Sequence, residues 1–151
     1  IRKCYDEIGG INENSMVVFS VPMIQGYITN NPRKISCCYC HLSFAYKNFI
    51  GCVYMGDYDA KKNFKSELSN LFQKYSRNIA TIQIPHHGSK HNFNEKLTTS
   101  FYFLYYIISY GIKNHFHHPS GETIANIAYT GYPILVNEQK NTSFVQKIQL
   151  A

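Results

Sequence analysis

Ile79-Ala80-Thr81-Ile82-Gln83-Ile84-Pro85-His86-His87-Gly88-Ser89 is the stretch on which the fold turns. Its first six residues, mostly β-branched or apolar, read as a strand. Pro85 stiffens the strand exit, and Gly88 lets the backbone turn sharply so that both histidines face one cleft. About thirty residues upstream, Cys52 to Met55 is a second apolar run that leads into Gly56-Asp57. About thirty residues downstream, Tyr105 to Ser109 leads towards His117-His118-Pro119. Each cluster of chemistry-bearing residues thus falls where a strand stops. In an α/β sheet, active sites gather at such points because loops converge there over a rigid support.

Working outward, the chain alternates strands and helices. Met16 to Val21 reads as a strand that follows the polar turn Asn12-Glu13-Asn14-Ser15. Gln25 to Lys34, with Gly26, Asn30, Asn31 and Pro32, reads as a long loop or hairpin tip, and Ile35 to Phe44 as a further strand. From Lys61 the period changes: Phe64, Leu68, Leu71, Phe72 and Tyr75 recur every three or four residues, the spacing of one face of a helix, which Asn78 closes. Ser120 is the expected N-cap of a short helix carrying Ile124, Ile127 and Ala128, with Gly131 as its left-handed C-terminal glycine. Pro133 to Val136 and Ser143 to Gln149 read as strands joined by a hairpin over Asn137 to Asn141.

Composition bounds the class. With 151 residues, 44% of them hydrophobic, the chain supports a single ordered domain over 1–151. Thirteen Tyr and ten Phe suit strands and pocket walls rather than a coiled coil or a disordered tail. The net charge of +6 comes from fifteen basic and nine acidic residues without any block of like charge, so it argues against a basic tail and modestly favours anionic partners. No run approaches the roughly 18 apolar residues of a membrane span, and no signal-peptide pattern stands at Ile1. Five cysteines, at 4, 37, 38, 40 and 52, do not make a disulfide framework. Cys37-Cys38-Tyr39-Cys40-His41 offers zinc-type donors, but no second pair completes a tetrahedral site, and reduced cysteines in a cytoplasmic setting are the favoured reading.

Asn12-Glu13-Asn14-Ser15-Met16-Val17, Tyr54-Met55-Gly56-Asp57, Ile84-Pro85-His86-His87-Gly88-Ser89, Ile108-Ser109-Tyr110-Gly111 and His118-Pro119 together resemble the metallo-β-lactamase fold, in its ComEC-like branch. That branch takes its name from the hydrolase domain of bacterial DNA-uptake channels involved in competence. The order and spacing of the motifs match over nearly the whole chain. The resemblance implies an αββα sandwich whose edge holds one or two divalent metals, zinc or manganese, and a metal-bound hydroxide. It implies Asp57 as the ligand bridging two metals, His86 or His87 as a further ligand, and His118 as a ligand or a contact to the substrate's phosphate. Asn14 and Ser15 match a segment at the site rim, with a positioning role.

The chemistry fits these residue types. A carboxylate offers one oxygen to each of two cations about 3.5–4 Å apart, and neutral imidazole suits zinc, manganese or iron. Ser89 would orient a ligand histidine or cap the following segment, and Lys113 and Lys90 stand near enough in sequence to meet a phosphate. Against these roles, Asp57 also suits the cap of the helix that follows, and only one of two adjacent histidines normally ligates. His41, His91 and His115 read as surface residues.

The family's HxHxDH signature is not in this sequence; His115-Phe116-His117-His118 lacks its Asp and follows Asp57. The expectation is therefore the C-terminal half of a hydrolase truncated at the N-terminus, or a degenerate member with an incomplete site. The expected activity is hydrolysis of nucleic-acid phosphodiesters, in the cytoplasm or as part of a larger membrane-attached protein. The alternative is a metal-poor, non-catalytic sandwich domain that binds nucleic acid or a partner protein. A half-sandwich would expose an apolar sheet face, to be covered by a second copy in a homodimer or by upstream residues.

Overall fold

The computed structural model describes residues 16–21, 26–28, 50–101, 103 and 105–150. Strands β1 (Val18–Ser20), β2 (Gly26–Ile28) and β3 (Gly51–Tyr54) come first. A continuous helical segment, α1, follows through Ala60–Asn63, a π-helical turn at Phe64–Leu68, and Ser69–Tyr75. Then come β4 (Ile79–Gln83), α2 (Lys96–Thr99), β5 (Tyr105–Ser109), α3 (Gly121–Thr130), β6 (Pro133–Val136) and β7 (Ile148–Leu150). The result is a mixed α/β architecture. Among the described residues no helix is long and apolar enough to cross a membrane.

The main sheet has the order β1-β3-β4-β5-β6. From β3 to β6 every pairing is parallel, and β1 adds to the edge antiparallel, with Phe19 opposite Val53. Because the four parallel strands lie side by side in chain order, their carboxyl ends share one edge of the sheet. The loops leaving β3, β4 and β5 therefore all emerge there, and these are the loops that carry Asp57, His86 and His118.

One face of the sheet is dry. Val53, Ile82, Tyr106 and Ile108 pack against Phe64, Leu68 and Phe72 of α1 and Ile127 of α3. Phe103 bridges these layers: its ring meets Phe72 at 5.6 Å and Tyr106 at 5.7 Å, both edge-on. The helical periodicity at Phe64, Leu68 and Phe72 is thus core. Asn78 ends a 3-10 turn, Ser76–Asn78, that closes α1.

The other face is covered by the C-terminal segment. Phe144 packs on Tyr105 at 5.1 Å. Gln146 reaches across three groups: its Oε1 accepts from the Cys52 thiol and the Thr81 hydroxyl, and its Nε2 donates to the Ile50 carbonyl at 2.7 Å. Burial pushes the Cys52 thiol pKa up, so the thiol stays protonated and serves as a donor to Gln146.

Several expectations are corrected. Asn137 to Asn141 is not a hairpin, because β6 pairs with β5 while β7 pairs antiparallel with β2 in a separate two-stranded sheet. Of the stretch Ser143 to Gln149, only the end joins strand β7. Within the expected loop Gln25 to Lys34, Gly26–Ile28 is a strand, since β7 offers it a partner that sequence patterning cannot reveal. Gly131 does close α3, but with φ −169° it is extended rather than left-handed. Its lack of a side chain answers a different demand: a Cβ there would sit 2.5 Å from the Tyr106 ring. The expected strand Ile35 to Phe44 and the Cys37 to His41 cluster lie outside the described residues.

Candidate functional site

Asp57, His86, His87 and His118 line one cavity of about 300 Å³ at the carboxyl edge of the sheet, together with Gly111, Asn114 and Phe116. The β3 exit turns at Gly56, whose φ of +50° is left-handed. Asp57 stands on that turn and is exposed. It does not cap α1; that role falls to Asp59, whose carboxylate accepts from Lys62 N at 3.0 Å. Asp57 is therefore left with its carboxylate at the cavity.

The β4 exit is held more tightly. His86 N donates to the Gly56 carbonyl at 2.7 Å, which ties this loop to the one carrying Asp57. His86, His87 and Gly88 all have positive φ, at 47°, 56° and 78°. For the two histidines this is a strained conformation, of the kind that persists where surrounding contacts enforce it. Gly88 admits no substitute: a Cβ would lie 2.7 Å from that of Pro119, so the third loop packs directly onto this turn.

The bend directs the two rings differently. His87 Nδ1 lies 2.8 Å from the Ser109 carbonyl and donates to it, which leaves Nε2 facing Asp57 Oδ1 at 3.7 Å. Both side chains are about half exposed, so their direct attraction is weak. His86 turns inward, and its Nδ1 is buried with no hydrogen-bond partner among the described residues. The His86 ring lies 6.2 Å from that of His87 and 5.8 Å from that of His118.

His118 is presented by a closed local network. Asn114 Nδ2 donates to the carbonyls of Gly111 and His118, at 2.6 and 2.8 Å, while Asn114 Oδ1 accepts from His118 N at 2.7 Å. Glu138 steadies the same loop by accepting from Ile112 N at 3.1 Å. His117, with φ 54°, and the cis His118–Pro119 bond complete the path. Phe116 stacks on the His118 ring at 5.9 Å. Burial, and then the nearby imidazoles of His86, His87 and His91, hold the His118 pKa below the ordinary histidine value.

Four of the expected site residues are thus brought together, and others are not. Ser89 is buried, and its hydroxyl accepts from His91 N at 3.3 Å, so it braces the turn behind the histidines instead of lining the cavity. Lys113 is exposed on the third loop and is not among the lining residues. Asn14 and Ser15 lie outside the described residues. Sequence reasoning missed Asn114, Phe116 and Glu138. Asn114 had a signal, since Asn after Gly-Ile-Lys is a turn former able to bond its own backbone; Glu138 had none.

As metal donors, the groups present are the right type: a carboxylate, an imidazole whose Nε2 lone pair is directed at it, and a buried imidazole nitrogen without a partner. Among the described residues, however, no three His, Cys, Asp or Glu side chains converge as a ligand set. Comparison with known proteins adds no name. No family model matches, and no match is found among the curated proteins or the solved structures.

Proposed function

We propose that this chain is a metal-dependent hydrolase of the metallo-β-lactamase fold, ComEC-like branch, acting on phosphodiester bonds of nucleic acid. The observation that carries the reading is the gathering of Asp57, His86, His87 and His118 around one cavity by three successive loops at the same sheet edge. The motifs that carry the resemblance, Gly56-Asp57, Pro85-His86-His87-Gly88-Ser89 and His118-Pro119, are the segments that form those loops. The αββα sandwich and a catalytic divalent ion, zinc or manganese, belong to this reading as proposals.

Asp57 and His87 are the residues that would hold the ion, with His86 Nδ1 as a further donor. Bound there, a divalent ion supplies a water of lowered pKa and positive charge against the phosphoryl oxygens. The chain's own residues do the rest. The Ser109 carbonyl fixes the His87 tautomer, the role such outer partners play at metal sites. His118, kept neutral by burial and neighbouring imidazoles, faces the cavity as a contact for a substrate oxygen. Phe116, exposed and stacked on His118, walls the cavity with an aromatic face on which a base would rest.

A second reading rests on a separate observation. The lack of a three-donor convergence among the described residues favours a metal-poor domain that binds nucleic acid or a partner protein without cleaving it. One experiment separates the two: elemental mass spectrometry of the purified chain, with hydrolysis of bis(4-nitrophenyl) phosphate and of a labelled oligonucleotide. The hydrolase reading expects stoichiometric metal and diester cleavage, both lost in Asp57→Ala and in His86→Ala/His87→Ala. A parent chain that takes up neither zinc nor manganese and leaves both diesters intact sinks it.

A further inference from the structure

A second cleft, of about 350 Å³, opens beside the catalytic loops and is lined by Lys61, Lys90, Lys96, Glu95, Glu122 and Asn126, among others. Its walls are continuations of the three site loops. Lys61 stands four residues after Asp57, Lys90 three after His87, and Glu122 four after His118. At about 3.3–3.6 Å per residue of extended chain, each wall lies within roughly 15 Å of the group it follows. Backbone contacts fix the walls to one another: Lys61 N donates to the Asn92 carbonyl at 3.0 Å, and Ser120 N donates to the Gly88 carbonyl at 3.1 Å.

The charges in this cleft are not spent on each other. Lys61, Lys90 and Lys96 are exposed, and among the described residues none of their ammonium groups forms an ion pair or hydrogen bond. Three lysines and two glutamates leave the cleft at +1. A phosphodiester carries one negative charge, whereas a terminal phosphate carries close to two. The balance therefore suits an internal link of a strand, and Asn94 and Asn126 add amide donors and acceptors for sugar or base.

We infer that this lysine-lined cleft grips the phosphodiester backbone of a nucleic-acid strand a few nucleotides from the bond held at the Asp57–His118 cavity. The choice of ligand rests on the phosphodiester reading of that cavity. The cleft's volume takes a nucleotide or two of one strand and not the face of a duplex.

The test is fluorescence anisotropy of a labelled 12-nucleotide single strand, as DNA and as RNA, in EDTA so that cleavage does not enter, across a salt series. Lys61→Gln/Lys90→Gln should weaken binding severalfold and lower the slope of log affinity against log salt by about 1.4, two single-strand phosphate contacts. Glu122→Gln should tighten binding. Lys74→Gln/Arg77→Gln removes the same charge at the far end of α1, next to the start of β4, and should leave the slope within error of the parent. Equal losses in the two double variants, or none in the first, overturn the inference; so does tighter binding of poly-glutamate than of either strand. A chain that binds as expected yet cleaves no diester with metal restored keeps the cleft and loses the hydrolase reading.

Discussion

Asn114 and His118 hold each other in a reciprocal pair: His118 N donates to Asn114 Oδ1 at 2.7 Å, and Asn114 Nδ2 donates back to the His118 carbonyl at 2.8 Å. The pair closes a five-residue ring that fixes where the imidazole emerges, and the Gly111 carbonyl takes the second amide hydrogen. The position of His118 at the cavity therefore depends on a neutral residue that does no chemistry.

Replacing Asn114 with Ala should cost little stability, about 1 kcal/mol for each lost bond that water does not replace, and much more function. Outer partners of this kind typically change metal affinity or activity by about 10–100-fold. Thermal melting and diester hydrolysis of Asn114→Ala check the split. A drop in melting temperature with unaltered hydrolysis would count against the positioning role.

The depressed His118 pKa sets a direction for stability against pH. The unfolded chain takes a proton at His118 near the ordinary value of 6.5, while the folded chain resists it until lower pH. The unfolded state then binds more protons, so this group's contribution is present above 6.5 and is lost as the pH falls towards the folded value. Urea midpoints of the metal-free chain between pH 7.5 and 5 should fall less steeply in His118→Gln than in the parent. Parallel profiles would show that another group governs the acid limb.

The left-handed backbone at His87 predicts an inverted ranking of substitutions. At an ordinary surface position Gly is less stable than Ala; here, with φ 56°, His87→Gly should be more stable than His87→Ala by about 1 kcal/mol. Both lose the bond to the Ser109 carbonyl, so that loss cancels in the comparison. Denaturant unfolding of the two variants decides the matter, and Ala equal to or above Gly would refute the strain.

Gly131 and Tyr106 should behave as a coupled pair. Gly131 is extended, so its backbone tolerates Ala, but the new Cβ would press into the buried Tyr106 ring. Gly131→Ala is expected to cost about 1–3 kcal/mol, as overpacking does. Trimming the ring with Tyr106→Leu should make the glycine substitution nearly neutral in that background. A double-mutant cycle with no coupling would place the cost elsewhere.

Legibility varied with the range of the interaction. Tyr105–Ser109 and Pro133–Val136 were readable to the residue, because apolar and β-branched runs bounded by turn formers report their own conformation. The Ser120 cap was readable because its bond to Thr123 N is local. The hairpin expected over Asn137 to Asn141 failed for the opposite reason: the partner of β7 is β2, more than a hundred residues upstream. Gly131 was recognised as necessary but for the wrong cause, since the Tyr106 ring that crowds it belongs to a neighbouring strand.

The same division holds at the site. The sequence alone determined the alternation of strands and helices, the buried face of α1, and the placing of Asp57, His86 and His118 just past the ends of strands, because each follows from periodicity or from residues close in the chain. Tertiary structure alone decided that these side chains share one cavity, that Asp59 and not Asp57 caps the helix, and that the His87 ring turns towards Asp57 while His86 is buried. Those outcomes depend on the parallel register of β3, β4 and β5 and on contacts between loops about thirty residues apart. No local propensity encodes such contacts; only packing of the whole sheet brings their partners within reach.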